Sequence, residues 1–267
     1  MNLRDEATVI EGSEKPITRS SFAQNLQDAG VAAGDVAMIH TSISRMGWIV
    51  GGVQTLLDGL FDVVGSRGTL VMPGFSSQLS DPAGWERPPV PGDWHKTIRD
   101  EMPVFDAERT STHGLSKLNE AFRALKSTRR STHPIDSFLA NGLMAETITE
   151  NHPLSGSLGS DGPLGRLYDL NAKVVFLGSG FDTCTCFHLA EYDRPNAKWA
   201  RVHYPTSREN GVTLWPDQSE LLFEVATFAR IGADFEAETS HVRQSGEIKS
   251  FGLVEAVDFA RNWYARA

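Results

Sequence analysis

Cysteine is nearly absent: Cys184 and Cys186 are the only two in a chain of 267 residues. That scarcity excludes a disulfide-stapled framework, so the fold must rest on an apolar core. No apolar run approaches the roughly eighteen residues a membrane-spanning helix needs, and Met1–Glu6 lacks the apolar stretch of a secretory leader. The expectation is a cytoplasmic protein without a membrane partner. Positive charge is also in deficit, with 25 Lys and Arg against 34 Asp and Glu and a net charge of −9. Such a surface repels nucleic acid and is permissive for a cationic small molecule. Neither a Walker sequence nor G-x-G-x-x-G occurs, which removes support for nucleotide hydrolysis and dinucleotide redox. Internal repeats, low-complexity tracts and long linkers are missing too.

What is present is a well-supplied core. Hydrophobic residues make up 40% of the chain, with 14 Phe and 6 Trp, enough for one compact unit spanning 1–267. Residues 1–16 read as a polar lead-in. A helix starts near Ser20 and stops at Gly30, and Val36–His40 forms a short strand. Val53, Leu56, Leu57, Leu60, Phe61 and Val64 recur at helical spacing, and Thr69–Met72 is the next strand. This strand–helix–strand unit predicts an α/β fold. From about 75 to 111 the pattern dissolves into a Pro- and Trp-containing loop, expected to line a cleft. Further helices are expected around Leu118–Leu125, Leu143–Glu150 and Pro163–Tyr168, and at about 217–230 and 251–265. Strands are expected at Phe138–Ala140 and Lys173–Leu177.

The most informative stretch is Gly178–Glu191, G-S-G-F-D-T-C-T-C-F-H-L-A-E, entered from the apolar run Val174–Leu177. A buried strand ending in a glycine turn then presents Asp182, His188 and Glu191. The last two are three residues apart and share a face if the segment is helical.

These residues, with several others in order, resemble the aminoglycoside 3-N-acetyltransferase family. The matching pieces begin with His40-Thr41-Ser42, Gly51-Gly52 and Gly65-x-x-Gly68-Thr69-Leu70-Val71-Met72-Pro73. They continue with Arg130-Ser131-x-His133-Pro134-x-x-Ser137-Phe138, His152-Pro153-Leu154 and Pro163-Leu164-Gly165-Arg166-Leu167. Leu177-Gly178-x-Gly180-x-Asp182-x-x-Thr185-x-x-His188-Leu189-Ala190-Glu191 and Val257-Asp258-Phe259-Ala260 complete the series. The resemblance covers roughly residues 18–265. It implies a layered α/β/α sandwich with a central mixed sheet, distinct from the histone-acetyltransferase-like fold. It also implies acetyl-CoA as donor, no metal, and the 3-amino group of a 2-deoxystreptamine aminoglycoside as acceptor, with antibiotic resistance as the outcome. The protein is expected as a monomer or homodimer. Two departures bear on the acceptor: Cys184 stands where many members carry Asn, and Ser160-Asp161-Gly162-Pro163 replaces Glu-Gly-Ser-Pro.

Acetyl transfer needs a neutral amine, so a base near the attacking nitrogen is useful. Imidazole titrates near neutral pH, and a carboxylate can hold its tautomer. His188 is therefore the expected base, with Glu191 or Asp182 orienting it and His152 as a contact or proton relay. His133, held extended before Pro134, is expected to be structural. The resemblance implies that His40, Thr41, Ser42 and Ser44 hold the pyrophosphate or pantetheine arm, with Arg45 and Arg130 neutralising phosphate. Asp81, Trp85, Glu86, Asp93 and Trp94 of the long loop are expected to form an acceptor wall. Two alternatives stay open: an acyl-CoA-dependent N-acyltransferase for a different amine, and a metal-dependent hydrolase using Cys184, Cys186 and His188.

Overall fold

The computed structural model describes residues 3–86 and 88–266. The chain opens with helices α1 (Leu3–Glu11) and α2 (Arg19–Asp28), then strand β1 (Val36–Thr41), helix α3 (Val53–Val64) and strand β2 (Thr69–Pro73). Helices α4 (His95–Glu101) and α5 (Lys117–Arg123) precede strands β3 (Arg129–Arg130) and β4 (Phe138–Gly142). Next come α6 (Ala145–Thr149), α7 (Pro163–Asp169), β5 (Lys173–Leu177) and α8 (Phe187–Tyr192). Strands β6 (Trp199–His203), β7 (Ser207–Glu209), β8 (Val212–Leu214) and β9 (Asp217–Leu221) follow. Helix α9 (Phe228–Glu238), the hairpin β10 (Arg243–Ser245) and β11 (Ile248–Gly252), and α10 (Leu253–Arg266) complete the chain.

Seven strands form one mixed sheet in the order β10-β11-β5-β1-β2-β4-β3. The centre is parallel, with β1 flanked by β2 and β5. The outer pairs are antiparallel. Side chains alternate across a strand, and this sorts the core into two layers. Ala37, Ile39, Leu70, Met72, Val175 and Leu177 pack under α2, α3 and α5. Met38, Val71, Val174, Phe176 and Phe251 pack under α6 to α10. The α/β/α sandwich is thus the observed architecture. Helix α3 buries Leu56, Leu57, Leu60, Val63 and Val64, each fully buried Leu or Val being worth about 1.5–3 kcal/mol.

Several local expectations are corrected. The lead-in contains α1, and α2 is capped by Thr18, whose hydroxyl accepts from Ser21 N. The helix expected at about 217–230 is instead β9, a 3-10 turn at Val225–Thr227 and the start of α9. β9 pairs antiparallel with β6, and this pairing overrides the local pattern. The 75–111 segment contains α4, which docks on the β7–β8 hairpin. Thr213 Oγ1 donates to Met102 O at 2.5 Å, Trp215 Nε1 to Arg99 O at 3.0 Å, and Arg208 pairs with Glu101 at 2.8 Å. Phe251 belongs to β11, so the last helix begins at Leu253.

Candidate active site

The carboxyl ends of β1 and β5 lie side by side, Thr41 paired with Leu177 in register. Ser42 N donates to Leu177 O at 2.9 Å, and a Cβ on Gly178 would stand 2.7 Å from Ser42 O. Gly178 also has φ +66°, so glycine is required there on both counts. Beyond this seam the chain diverges. After β1 it runs to α3 on one face; after β5 it turns through Phe181–Thr183 into α8 on the other. Such a switch point is where open α/β sheets place ligands.

Helix α8 begins just past this point and presents His188 and Glu191 one turn apart. His188 Nδ1 donates to Glu191 Oε2 at 2.6 Å, because a carboxylate only accepts. Glu191 is fully buried, and its other oxygen accepts from Glu224 N at 2.5 Å. The carboxylate therefore fixes the Nδ1–H tautomer and leaves Nε2 with its lone pair free. Phe223 and Phe228 hold the ring, at 4.4 and 4.9 Å between centroids. Asp182, the other expected orienting acid, does not meet the ring. It is exposed and lines the same cavity.

That cavity, about 270 Å³, is bounded by His40, Thr41, Ser116, Asp182, Thr185 and His188, with Phe75 and Phe228 as apolar walls. His40 pairs with Phe176 in register, which puts it on the face that α8 covers. Burial, with His188 adding to it, pushes its imidazole down to about 3, so the ring is neutral at working pH. Thr41 points to the opposite face and donates to Ser116 Oγ at 3.1 Å. Ser116 in turn donates to Asn119 Oδ1 at 2.7 Å.

The other expected site residues separate. Ser44 and Arg45 line a second recess of about 560 Å³ near α1, α2 and the turn before β11. Ser42 sits at the seam between the two. Arg130 is not free to neutralise a phosphate. Its guanidinium donates to Ser137 Oγ at 2.9 Å, Gly74 O at 2.5 Å and Thr110 O, and covers the Phe105 ring. His152 is buried and does not line the His188 cavity. Its Nε2 donates to Ser157 O at 2.7 Å and its Nδ1 accepts from Ser131 Oγ at 2.9 Å. Burial lowers it to about 3. His133 is fully buried, its Nδ1 accepting from Asp136 N at 2.9 Å.

The expected acceptor wall also lies outside this cavity. Asp81 is tied to Arg99 at 2.6 Å, and Trp85 Nε1 donates to Ser80 Oγ at 2.8 Å. Glu86, Asp93 and Trp94 are exposed. Cys184 and Cys186 are buried with their sulfurs 3.4 Å apart, and burial pushes the Cys184 thiol up. Among the described residues no group of three or more His, Cys, Asp or Glu is placed to hold a metal ion.

Sequence reasoning missed Ser116, Asn119 and the Glu224 amide. The S-x-x-N spacing ahead of the Leu118 run was a readable cap signal for the first two. It also missed a buried pair of acids. Asp136 accepts from Ser157 Oγ at 2.7 Å, and Glu220 accepts from Tyr192 OH at 2.6 Å and Ser157 N at 2.8 Å. Burial raises Asp136 to about 6.

Comparison with known proteins bears on this arrangement. The sequence model of the family described as aminoglycoside 3-N-acetyltransferase matches residues 38–265. The aminoglycoside N(3′)-acetyltransferase-like protein YokD of Bacillus subtilis is 39% identical over 262 residues, covering 96% of this chain and 95% of that protein. Its crystal structure superposes with a TM-score of 0.92 over 97% of each chain. Aminoglycoside N(3)-acetyltransferase IX of Micromonospora chalcea is 32% identical, with 97% of both chains covered. The structure of AAC-IIIb in binary complex with CoASH is 30% identical, with a TM-score of 0.80, covering 94% of this chain and 97% of that one.

Proposed function

The chain belongs to the aminoglycoside 3-N-acetyltransferase family, an acyltransferase class, and from that premise we propose that it transfers acetyl from acetyl-CoA to the 3-amino group of a 2-deoxystreptamine aminoglycoside, conferring resistance. The observation that carries this reading is the buried His188–Glu191 pair, its free Nε2 lone pair beside a cavity at the sheet's switch point. In this reading His188 Nε2 removes a proton from the attacking amine. Glu191 stabilises the imidazolium that forms, and the same proton is then available to the departing CoA sulfur.

The donor arm enters over the seam between β1 and β5. Thr41 lies at the cavity, Ser42 at the seam, and Ser44 and Arg45 in the outer recess. An extended thioester whose acyl end reaches His188 would run past them in that order. The CoASH complex of AAC-IIIb supports the donor class. Arg45 is exposed and suited to a phosphate, whereas Arg130 is committed to the fold. Asp182, exposed at the cavity, supplies the carboxylate for an acceptor ammonium.

The test is release of CoA thiol when purified protein meets acetyl-CoA and a panel of 2-deoxystreptamine drugs including gentamicin, with the product's acetyl position read by NMR. Acetylation at N3, with a raised inhibitory concentration in cells expressing the chain, is the expected result. CoA binding without turnover on any drug of the panel would shift the assignment to a different amine.

A further inference from the structure

His40 is 5% exposed at the end of the central strand, and its Nε2 is buried without a hydrogen-bond partner. No hydrogen bond to either ring nitrogen is formed among the described residues. A neutral imidazole carries one N–H, and an unsatisfied buried donor is costly, of the order of 1–3 kcal/mol. His152, equally enclosed, engages both ring nitrogens, with Ser157 O and Ser131 Oγ; His133 accepts main-chain N–H groups at Nδ1 and, like His40, leaves Nε2 buried without a partner. His40 differs from both in one respect: it lines the cavity that holds His188. Register places it on the same face of the sheet as α8, with the Phe176 ring edge-on at 5.7 Å.

We propose that the His40 ring N–H is the hydrogen-bond donor that polarises the thioester carbonyl, making His40 a second catalytic residue opposite His188. The assignment rests on the acyl-CoA reading above. As the amine nitrogen bonds to the carbonyl carbon, the C=O electron pair moves onto oxygen, where the His40 N–H receives it. The amine proton passes to His188 Nε2. The oxygen pair then re-forms the C=O of the new amide as the C–S bond breaks, its electrons leave with the CoA sulfur, and the His188 proton is available to that thiolate. A neutral imidazole suits the task, since it donates without surrendering its proton. Burial and the neighbouring His188 keep it in that form, at about 3. Oxygen is the better target than sulfur, which accepts hydrogen bonds weakly.

Two variants test it: His40→Phe, which keeps the ring beside Phe176 and removes the donor, and His40→Gln, which restores an N–H. The first readout is the infrared carbonyl stretch of [1-¹³C]acetyl-CoA bound to the protein, which needs no acceptor. A red shift in the wild type, lost in His40→Phe and partly regained in His40→Gln, is expected. The second is steady-state turnover: kcat of His40→Phe falls about 10²–10³-fold, as for loss of one oxyanion donor, with KM for acetyl-CoA within about threefold. A red shift that persists in His40→Phe, or an unchanged kcat with raised KM, overturns the assignment. Failure of acetyl-CoA to bind the wild type overturns the acyltransferase reading and this one with it.

Discussion

At the scale of single residues, the site turns on which carboxylate meets the imidazole. Spacing left Glu191 and Asp182 open: Glu191 shares a face with His188 if the segment is helical, and Asp182 follows the glycine turn into the same site. The 3-10 turn Phe181–Thr183 ends before α8 starts, and it leaves Asp182 at the cavity surface while Glu191 is buried under the ring. The two acids should therefore fail differently. Glu191→Gln leaves one acceptor oxygen for two donors, His188 Nδ1–H and Glu224 N–H, and removes the charge that stabilises the imidazolium, so kcat should fall about 10²–10⁴-fold, the range of a lost general base. Asp182→Asn should raise KM for the aminoglycoside, roughly tenfold for one lost charge-assisted contact, with kcat for the first drug accepted little changed. Steady-state kinetics with acceptor and donor varied separately would show it; equal losses in kcat for both variants would contradict the division of roles.

At the scale of elements, most of what the sheet needs was readable. The periodic runs around Leu56–Val64 and Val174–Leu177 gave α3 and β5 with their observed extents, since each buries one continuous apolar face. β9 was not readable, because Asp217-Gln218-Ser219-Glu220 is polar and its strand form comes from pairing with β6. The extent of α9 was also hidden, and Gly232 shows why. In sequence it reads as a helix breaker; in the fold a Cβ there would stand 2.2 Å from Phe181 Cβ and 2.0 Å from its Cγ. The glycine admits the turn that carries Asp182 and Thr183 to the cavity. Gly232→Ala should therefore destabilise the protein by about 1–3 kcal/mol through overpacking, net of the gain in helix propensity, and depress activity as well. Thermal unfolding and turnover together check this, and an unchanged melting temperature with full activity would contradict the packing. The residues expected of the 75–111 loop as an acceptor wall do not line the His188 cavity, for a related reason: Asp81 is tied to Arg99, and α4 docks on a hairpin over 100 residues further along. No local pattern announces a contact of that range.

At the scale of the whole molecule, buried titratable groups set how stability follows pH. His40, His133 and His152 are lowered to about 3, 4 and 3, and Asp136 is raised to about 6, burial being the leading cause for each. The histidines contribute stability that is present above their unfolded value and lost as pH falls below about 6.5. Asp136 acts in the opposite sense, because the fold favours its proton from about pH 4 to 6. Near pH 5 the three histidines outweigh Asp136, so unfolding takes up protons and stability rises with pH. Urea titrations at pH 5, 6 and 7 should show stability rising with pH across that window. A flat or falling profile would contradict the neutral state of the three rings.

The family match extends over residues 38–265, whereas the proposed reaction centres on His188. The most direct measurement is kcat/KM for thiol release from acetyl-CoA with gentamicin, wild type beside His188→Ala. The wild type should turn over and the variant should lose about 10²–10⁴-fold, with CoA affinity retained. Turnover that survives in His188→Ala would contradict it.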